Sequence, residues 1–198
     1  MATTEPTTGH APERTVLRGK PPFSVDDLLT FPDDGNRYEL FDGSLLVSPS
    51  PTPMHQRALA RLLRLLEDAA PPEFEPLPEA NLGIGPRDFF IPDLVVVPTE
   101  AVEETELMFA PDDILLAVEL ISPTTRKRDR HMKRSAYAAA GIPFYWRIEL
   151  AEGPCLYVHE LADDEYKPAV KHEAGETARL VAPFEVGFDP AVLLRPRG

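Results

Sequence analysis

Two short apolar runs near the middle of the chain constrain its fold more than any other feature. They are Ile91-Pro92-Asp93-Leu94-Val95-Val96-Val97 and the stretch from Ile114 to Ile121, both flanked by prolines. Runs of this length, rich in valine, leucine and isoleucine, read as strands covered on both faces. A sheet covered on both faces needs a second and a third layer, so the expected class is α/β or α+β, a mixed central sheet flanked by helices. Each run also carries one carboxylate, Asp93 in the first and Glu119 in the second. A carboxylate in a central strand is costly to bury unless it is paired or coordinates a cation. Two of them on strands that could be neighbours point to one shared cation site. Hard divalent ions of the Mg²⁺ or Mn²⁺ kind take such oxygen ligands. The alternative for either residue is a strand-end carboxylate facing solvent.

Elements on either side fit the same class. Residues 1–20 are polar, without apolar periodicity, and read as a disordered tail ahead of one domain over residues 21–198. Ser24 has the character of an N-cap for a short helix ending near Thr30. Tyr38 to Phe41 and Leu45 to Val47 flank Asp42-Gly43, a hairpin signal. Leucines at 59, 62, 63 and 66 form the apolar stripe of a helix over His55 to Ala69. Phe74 to Ala80 reads as a strand, and Asn81 to Gly85 as a turn. After Pro123, Thr124 or Thr125 can cap a helix that runs to about Ala140, with Gly141 at its C-terminal end. Three more strands follow, over Phe144–Leu150, Cys155–Glu160 and Tyr166–His172.

Composition narrows the function classes. The chain has a single cysteine, Cys155, so it can form no internal disulfide. No apolar run approaches the roughly 18 residues of a membrane span, and the N-terminus lacks the apolar core of a secretory signal. A cytoplasmic protein is expected. The formal net charge of −13 argues against a protein that coats nucleic acid nonspecifically. It allows a local basic patch, and the sequence has one. Arg126-Lys127-Arg128-Asp129-Arg130-His131-Met132-Lys133-Arg134 holds six Lys/Arg and one Asp, whereas residues 88–125 hold nine acids and no Lys or Arg. A basic helix that starts just after a strand bearing a carboxylate can face a phosphate backbone. The commoner origin of such a run is a solvated helix face. Glu39, in Arg37-Tyr38-Glu39-Leu40-Phe41, can point into the same cleft or pair locally with Arg37.

Several of these segments together resemble one known family. They are Tyr38-Glu39-Leu40-Phe41-Asp42-Gly43, Ser48-Pro49-Ser50-Pro51-Thr52-Pro53 with His55, Pro92-Asp93-Leu94 and Val118-Glu119-Leu120-Ile121-Ser122-Pro123-Thr124-Thr125. Arg128-Asp129 with Lys133, and Tyr137-Ala138 with Gly141-Ile142-Pro143 and Tyr145-Trp146, continue the series. In this order they are similar to the Uma family of restriction endonucleases, within the PD-(D/E)XK nuclease superfamily. The likeness runs continuously from about Ser24 to Glu149 and loosely over the C-terminal strands.

The resemblance implies a restriction-endonuclease-like core and Mg²⁺-dependent (or Mn²⁺-dependent) hydrolysis of phosphodiesters. Asp93 and Glu119 match the two superfamily acids, and the backbone carbonyl of Leu120 would join them on the metal. Glu39 matches an additional acid of the family. The superfamily lysine normally stands two residues after the second acid, where this chain has Ile121. Lys133, on the following helix, is the best match for it, orienting the attacking water or stabilising charge on the phosphate. Arg126, Lys127, Arg128, Arg130 and Arg134 would contact the nucleic acid, with DNA the first expectation. Two further readings stay open. One is a catalytically inactive nuclease-fold module for binding or assembly. The other is a carboxylate-pair glycosidase, which the basic helix and the single tryptophan disfavour. A homodimer is one option for cutting two strands, and the apolar, proline-rich residues 181–194 offer it a surface.

Overall fold

The computed structural model describes residues 19–48, 50–121, 127–151 and 153–196, and for residues 127–130 the backbone alone. Ser24 caps helix α1 (Val25–Leu28) in a reciprocal capping box with Asp27, whose carboxylate accepts from the Ser24 amide at 2.9 Å. Strands β1 (Arg37–Phe41) and β2 (Ser44–Ser48) form the expected hairpin. Asp42 and Gly43 both have positive φ, 46° and 70°, as a tight two-residue hairpin turn requires. Helix α2 (Pro53–Ala69) starts at an N-cap, Thr52, whose hydroxyl accepts from the His55 amide.

Strands β3 (Phe74–Pro78), β4 (Leu82–Gly85), β5 (Asp88–Phe90) and β6 (Leu94–Pro98) follow, then the short helix α3 (Thr99–Glu104) and strand β7 (Leu116–Ile121). Helix α4 (Lys127–Ala139) leads into β8 (Phe144–Glu149), β9 (Cys155–Ala162), β10 (Glu165–Tyr166) and β11 (Val170–His172). A last small ribbon pairs β12 (Ala178–Leu180) with β13 (Val186–Phe188).

The main sheet runs β10-β9-β8-β7-β6-β3, with β11 also on β9. The second sheet runs β2-β1-β5-β4. In the main sheet β7 and β8 are parallel neighbours, and its other ladders are antiparallel. Parallel neighbours need a crossover, and α4 is that crossover. This connection brings the basic helix onto the strand that carries Glu119.

Side-chain alternation along the strands builds one core on each face of the main sheet. Leu116, Val118 and Leu120 of β7 join Trp146 and Ile148 of β8 against Ala58, Leu62 and Leu66 of α2. Burying each of those leucines contributes about 1.5–3 kcal/mol. Val95, Ala117 and Tyr145, on the other face, pack against Tyr137 and Ala138 of α4 and Leu82 and Phe90 of the second sheet.

The structure differs from the sequence-based expectations at several points, and the strand expected over Tyr166–His172 divides into β10 and β11. Asp93 precedes β6 rather than lying within a strand, so its side chain is held at a strand entrance. Residues 82–85 form β4, not a turn, and β5, α3, β12 and β13 are additional elements too short to show a period. Residues 181–194 do not form a spare apolar tail. Phe184, Val186, Phe188 and Leu193 are buried in the α2-side core, and Arg61 donates to the Val192 carbonyl at 2.8 Å. The expected disordered tail, apart from Gly19 and Lys20, and the Thr124 or Thr125 cap lie outside the described residues. Among the described residues no helix is long and apolar enough to cross a membrane.

Candidate active site

Three elements and one strand entrance deliver the acidic and basic side chains to one place. Along β1, alternation sends Arg37, Glu39 and Phe41 to one face, while Leu40 enters a separate small core with Phe23 and Phe89. On the main sheet the register pairs Leu94 with Val118 and Val95 with Ala117. One step back along that register sets Asp93 opposite Glu119. On α4, Lys133 and Tyr137 are four residues apart and share a face.

These placements produce a compact polar cluster. Lys133 Nζ lies 2.8 Å from Glu39 Oε1 and 3.0 and 3.2 Å from the two carboxylate oxygens of Glu119. The Tyr137 hydroxyl donates to Glu119 Oε1 at 2.8 Å. Glu39 Oε1 also accepts from the Ile91 amide at 2.7 Å. Asp93 is held from both sides. Its Oδ1 accepts from Arg37 Nη1 at 3.0 Å, and its Oδ2 from the Leu120 amide at 2.7 Å, with His55 Nε2 at 3.3 Å. Glu79 stands 3.6 Å from the same Arg37 nitrogen.

All three central acids are buried, with Glu39, Asp93 and Glu119 at 3%, 4% and 6% exposure. Three buried carboxylates thus face two permanent cations, Arg37 and Lys133. The titration of Asp93 and of Glu119 diverges accordingly. Burial pushes the Glu119 carboxyl up to about 7, and the nearby charges of Asp93 and Glu39 add to the effect against Lys133 and Arg37. Burial acts on Asp93 too, but the hydrogen bond from His55 and the charge of Arg37 outweigh it and hold that carboxyl below its usual range. Lys133 is buried as well, yet Glu119 and Glu39 keep its ammonium charged far into the alkaline range.

The sequence matches the Uma2 family, described as "Putative restriction endonuclease", over residues 25–194. The chain belongs to the Uma2 family. Its fold is also that of a crystal structure described as "a putative nuclease belonging to DUF820 from Anabaena variabilis ATCC 29413". That structure is 17% identical and superposes with a TM-score of 0.67, covering 82% of this chain and 90% of its own. No curated protein matches.

In this Uma2 chain the four residues expected to carry chemistry, Glu39, Asp93, Glu119 and Lys133, meet in one cluster. Leu120 enters it through its amide, which anchors Asp93. In a strand the carbonyl of a residue faces the same edge as its amide. Of the five expected nucleic-acid contacts, Arg126 and the side chains of Lys127, Arg128 and Arg130 lie outside the described residues. Arg134 is engaged within the chain. It donates to the Tyr166 carbonyl at 2.8 Å and lies over the Tyr166 ring. One residue beyond Lys133, it is turned roughly 100° around the helix.

In sequence, His55 marked only the start of a helix and a motif position, and Tyr137 had no assigned role. Arg37 entered only as a local partner for Glu39, whereas it binds Asp93. Two positions had a usable signal. Arg37 is two residues from Glu39 in a strand, and Tyr137 is four from Lys133 in a helix, so each pair had to share a face.

Among the described residues, no three or more acidic, histidine or cysteine side chains stand grouped to hold a metal ion as they are. Lys133 lies between Glu39 and Glu119, while Arg37 and His55 engage Asp93. The donor chemistry does fit Mg²⁺ or Mn²⁺. The donors are hard carboxylate oxygens, the acids outnumber the permanent cations, and Glu119 is a desolvated carboxylate that a divalent ion would stabilise.

Proposed function

We propose that this protein is a metal-dependent nuclease that hydrolyses phosphodiester bonds of nucleic acid, with DNA as its first substrate. The observation that supports this most is the convergence of Glu39, Asp93, Glu119 and Lys133 from two sheets and the crossover helix. Asp93 and Glu119, with the Leu120 carbonyl and Glu39 beside them, would hold Mg²⁺ or Mn²⁺. When bound, such an ion supplies polarisation of a phosphoryl oxygen and a water of lowered pKa.

The chain's own residues have separable tasks. Arg37, His55 and the Leu120 amide fix the Asp93 carboxylate in one orientation, as outer-shell partners of ligands do. Tyr137, neutral and buried, does the same for Glu119. The Lys133 ammonium, kept charged by the acids, orients the attacking water or stabilises negative charge on the transferring phosphate. The cationic stretch 126–134 gives an otherwise acidic chain a local attraction for the phosphate backbone.

The test is cleavage of supercoiled plasmid, linear duplex, single-stranded DNA and RNA with Mg²⁺, with Mn²⁺ or with chelator. The wild type is expected to cut at least one substrate only when metal is present. Asp93→Asn and Glu119→Gln, shown to be folded by circular dichroism, are expected to abolish cutting. If wild type and both variants behave alike on every substrate, the protein is not a nuclease of this kind. It then acts as a binding or assembly module of the same fold.

A further inference from the structure

Lys133 has more contacts in the cluster than the task of a catalytic lysine requires. Its ammonium touches three oxygens of two carboxylates that belong to different sheets, Glu39 on β1 and Glu119 on β7. The lysine side chain is 12% exposed, so these contacts take place away from bulk water. Each carboxylate oxygen offers two lone-pair directions. Glu39 Oε1 uses both, for the Ile91 amide and for Lys133. Glu119 Oε1 also uses both, for the Tyr137 hydroxyl and for Lys133. Lys133 further takes a share of Glu119 Oε2. A divalent ion placed between these carboxylates would meet Oε1 of Glu39 and of Glu119 already filled, and a positive charge at contact distance.

We infer that Lys133 is the resident counter-ion of the metal-free protein, and that its ammonium and a divalent cation compete for the carboxylate oxygens of Glu39 and Glu119. This rests on the metal-dependent reading of the site. Metal uptake is then an exchange of one cation for another. The displaced ammonium remains on α4 beside the acids, with its N–H donors released for a substrate phosphate. Lys133 therefore lowers metal affinity in the resting protein, and in doing so holds the two sheets together until metal arrives.

The experiment compares wild type, Lys133→Met and the control Lys167→Met, whose lysine makes a half-exposed pair with Glu160 at the edge of the main sheet. Mn²⁺ binding is measured by calorimetry at pH 8, and thermal unfolding is followed in chelator and in millimolar Mn²⁺. Lys133→Met is expected to bind Mn²⁺ about tenfold or more tightly than wild type, because a positive charge beside the ion is gone. Its unfolding midpoint falls in chelator and is recovered by Mn²⁺ to a greater extent than that of wild type, while Lys167→Met matches wild type in both. A Lys133→Met protein that folds only when Mn²⁺ is supplied gives the same support. The inference is overturned if Lys133→Met binds Mn²⁺ no more tightly than wild type, or stays unfolded with and without Mn²⁺. If wild type still cuts with Mg²⁺ in those cases, the nuclease reading survives. If wild type neither binds metal nor cuts, that reading falls first.

Discussion

Tyr137 offers the cleanest single-atom perturbation of the site. Its ring is fully buried and packs edge-on against Phe90, with centroids 5.6 Å apart, and against Tyr145 at 5.8 Å. Its hydroxyl donates to Glu119 Oε1 at 2.8 Å. Tyr137→Phe removes one oxygen and leaves those ring contacts in place, so the change reads the hydrogen bond rather than a cavity. A hydrogen bond to a charged group contributes about 1.5–3 kcal/mol. Lys133 still contacts the same carboxylate, so the variant is not left with an orphaned charge, and a loss of about 2 kcal/mol is expected. For a chain of this size that is a fall in melting temperature of roughly 4–8 °C. The measurement is urea unfolding followed by circular dichroism and by the fluorescence of Trp146, at pH 8, above the value of about 7 to which burial pushes Glu119. The slope against urea should not change, because the surface exposed on unfolding is the same. A loss below about 0.5 kcal/mol, the range of an ordinary surface substitution, would refute the role given to the hydroxyl as a donor to an ionised carboxylate.

Two other expectations concern parts of the fold away from the acids. His159 packs against the rings of Tyr145 and Tyr166; burial lowers its pKa, and the charges of Arg134 and Arg147 add to this, against a hydrogen bond to the Lys167 carbonyl. A histidine that binds its proton less readily when folded contributes its stability above the unfolded value of about 6.5 and loses it as pH falls through the lower folded value. His159→Phe should therefore flatten the stability profile as pH falls below about 6.5, measured as urea midpoints; an unchanged slope there counts against the assignment. At Gly43, φ is +70° and an added Cβ would lie 2.6 Å from the Pro22 Cβ and 3.0 Å from the Phe23 carbonyl. Gly43→Ala is expected to cost about 1–3 kcal/mol in chemical unfolding, and a neutral result would show that the hairpin can shift away from Pro22.

Two of the residues that carry the proposed chemistry were legible because a local pattern marked them, and the other two were picked out by the family resemblance. Asp93 and Glu119 stood out as charges inside or beside apolar runs, which burial alone would not tolerate. The turn dipeptide Asp42-Gly43 placed Glu39 in a strand, and Pro123 and Gly141 bounded a helix holding Lys133, but the roles of both came from the resemblance. Period and turn chemistry depend on neighbours in sequence, so they survive without the fold. What those residues do to one another depends on tertiary structure. Lys133 sits on Glu39 and Glu119 because α4 crosses between two parallel strands, and the second sheet is laid over the same face. Arg37 and His55 reach Asp93 from positions 56 and 38 residues away, and no periodicity links such positions. The fate of residues 181–194 was decided in the same way. Their apolar character was plain in the sequence, but whether they covered the chain's own core or a partner depended on α2 being there to receive them. Local pattern thus determined which residues are apolar, turned or charged. Only packing over long separations determined which charges would be desolvated together, and that shared desolvation is what sets the electrostatics of the site.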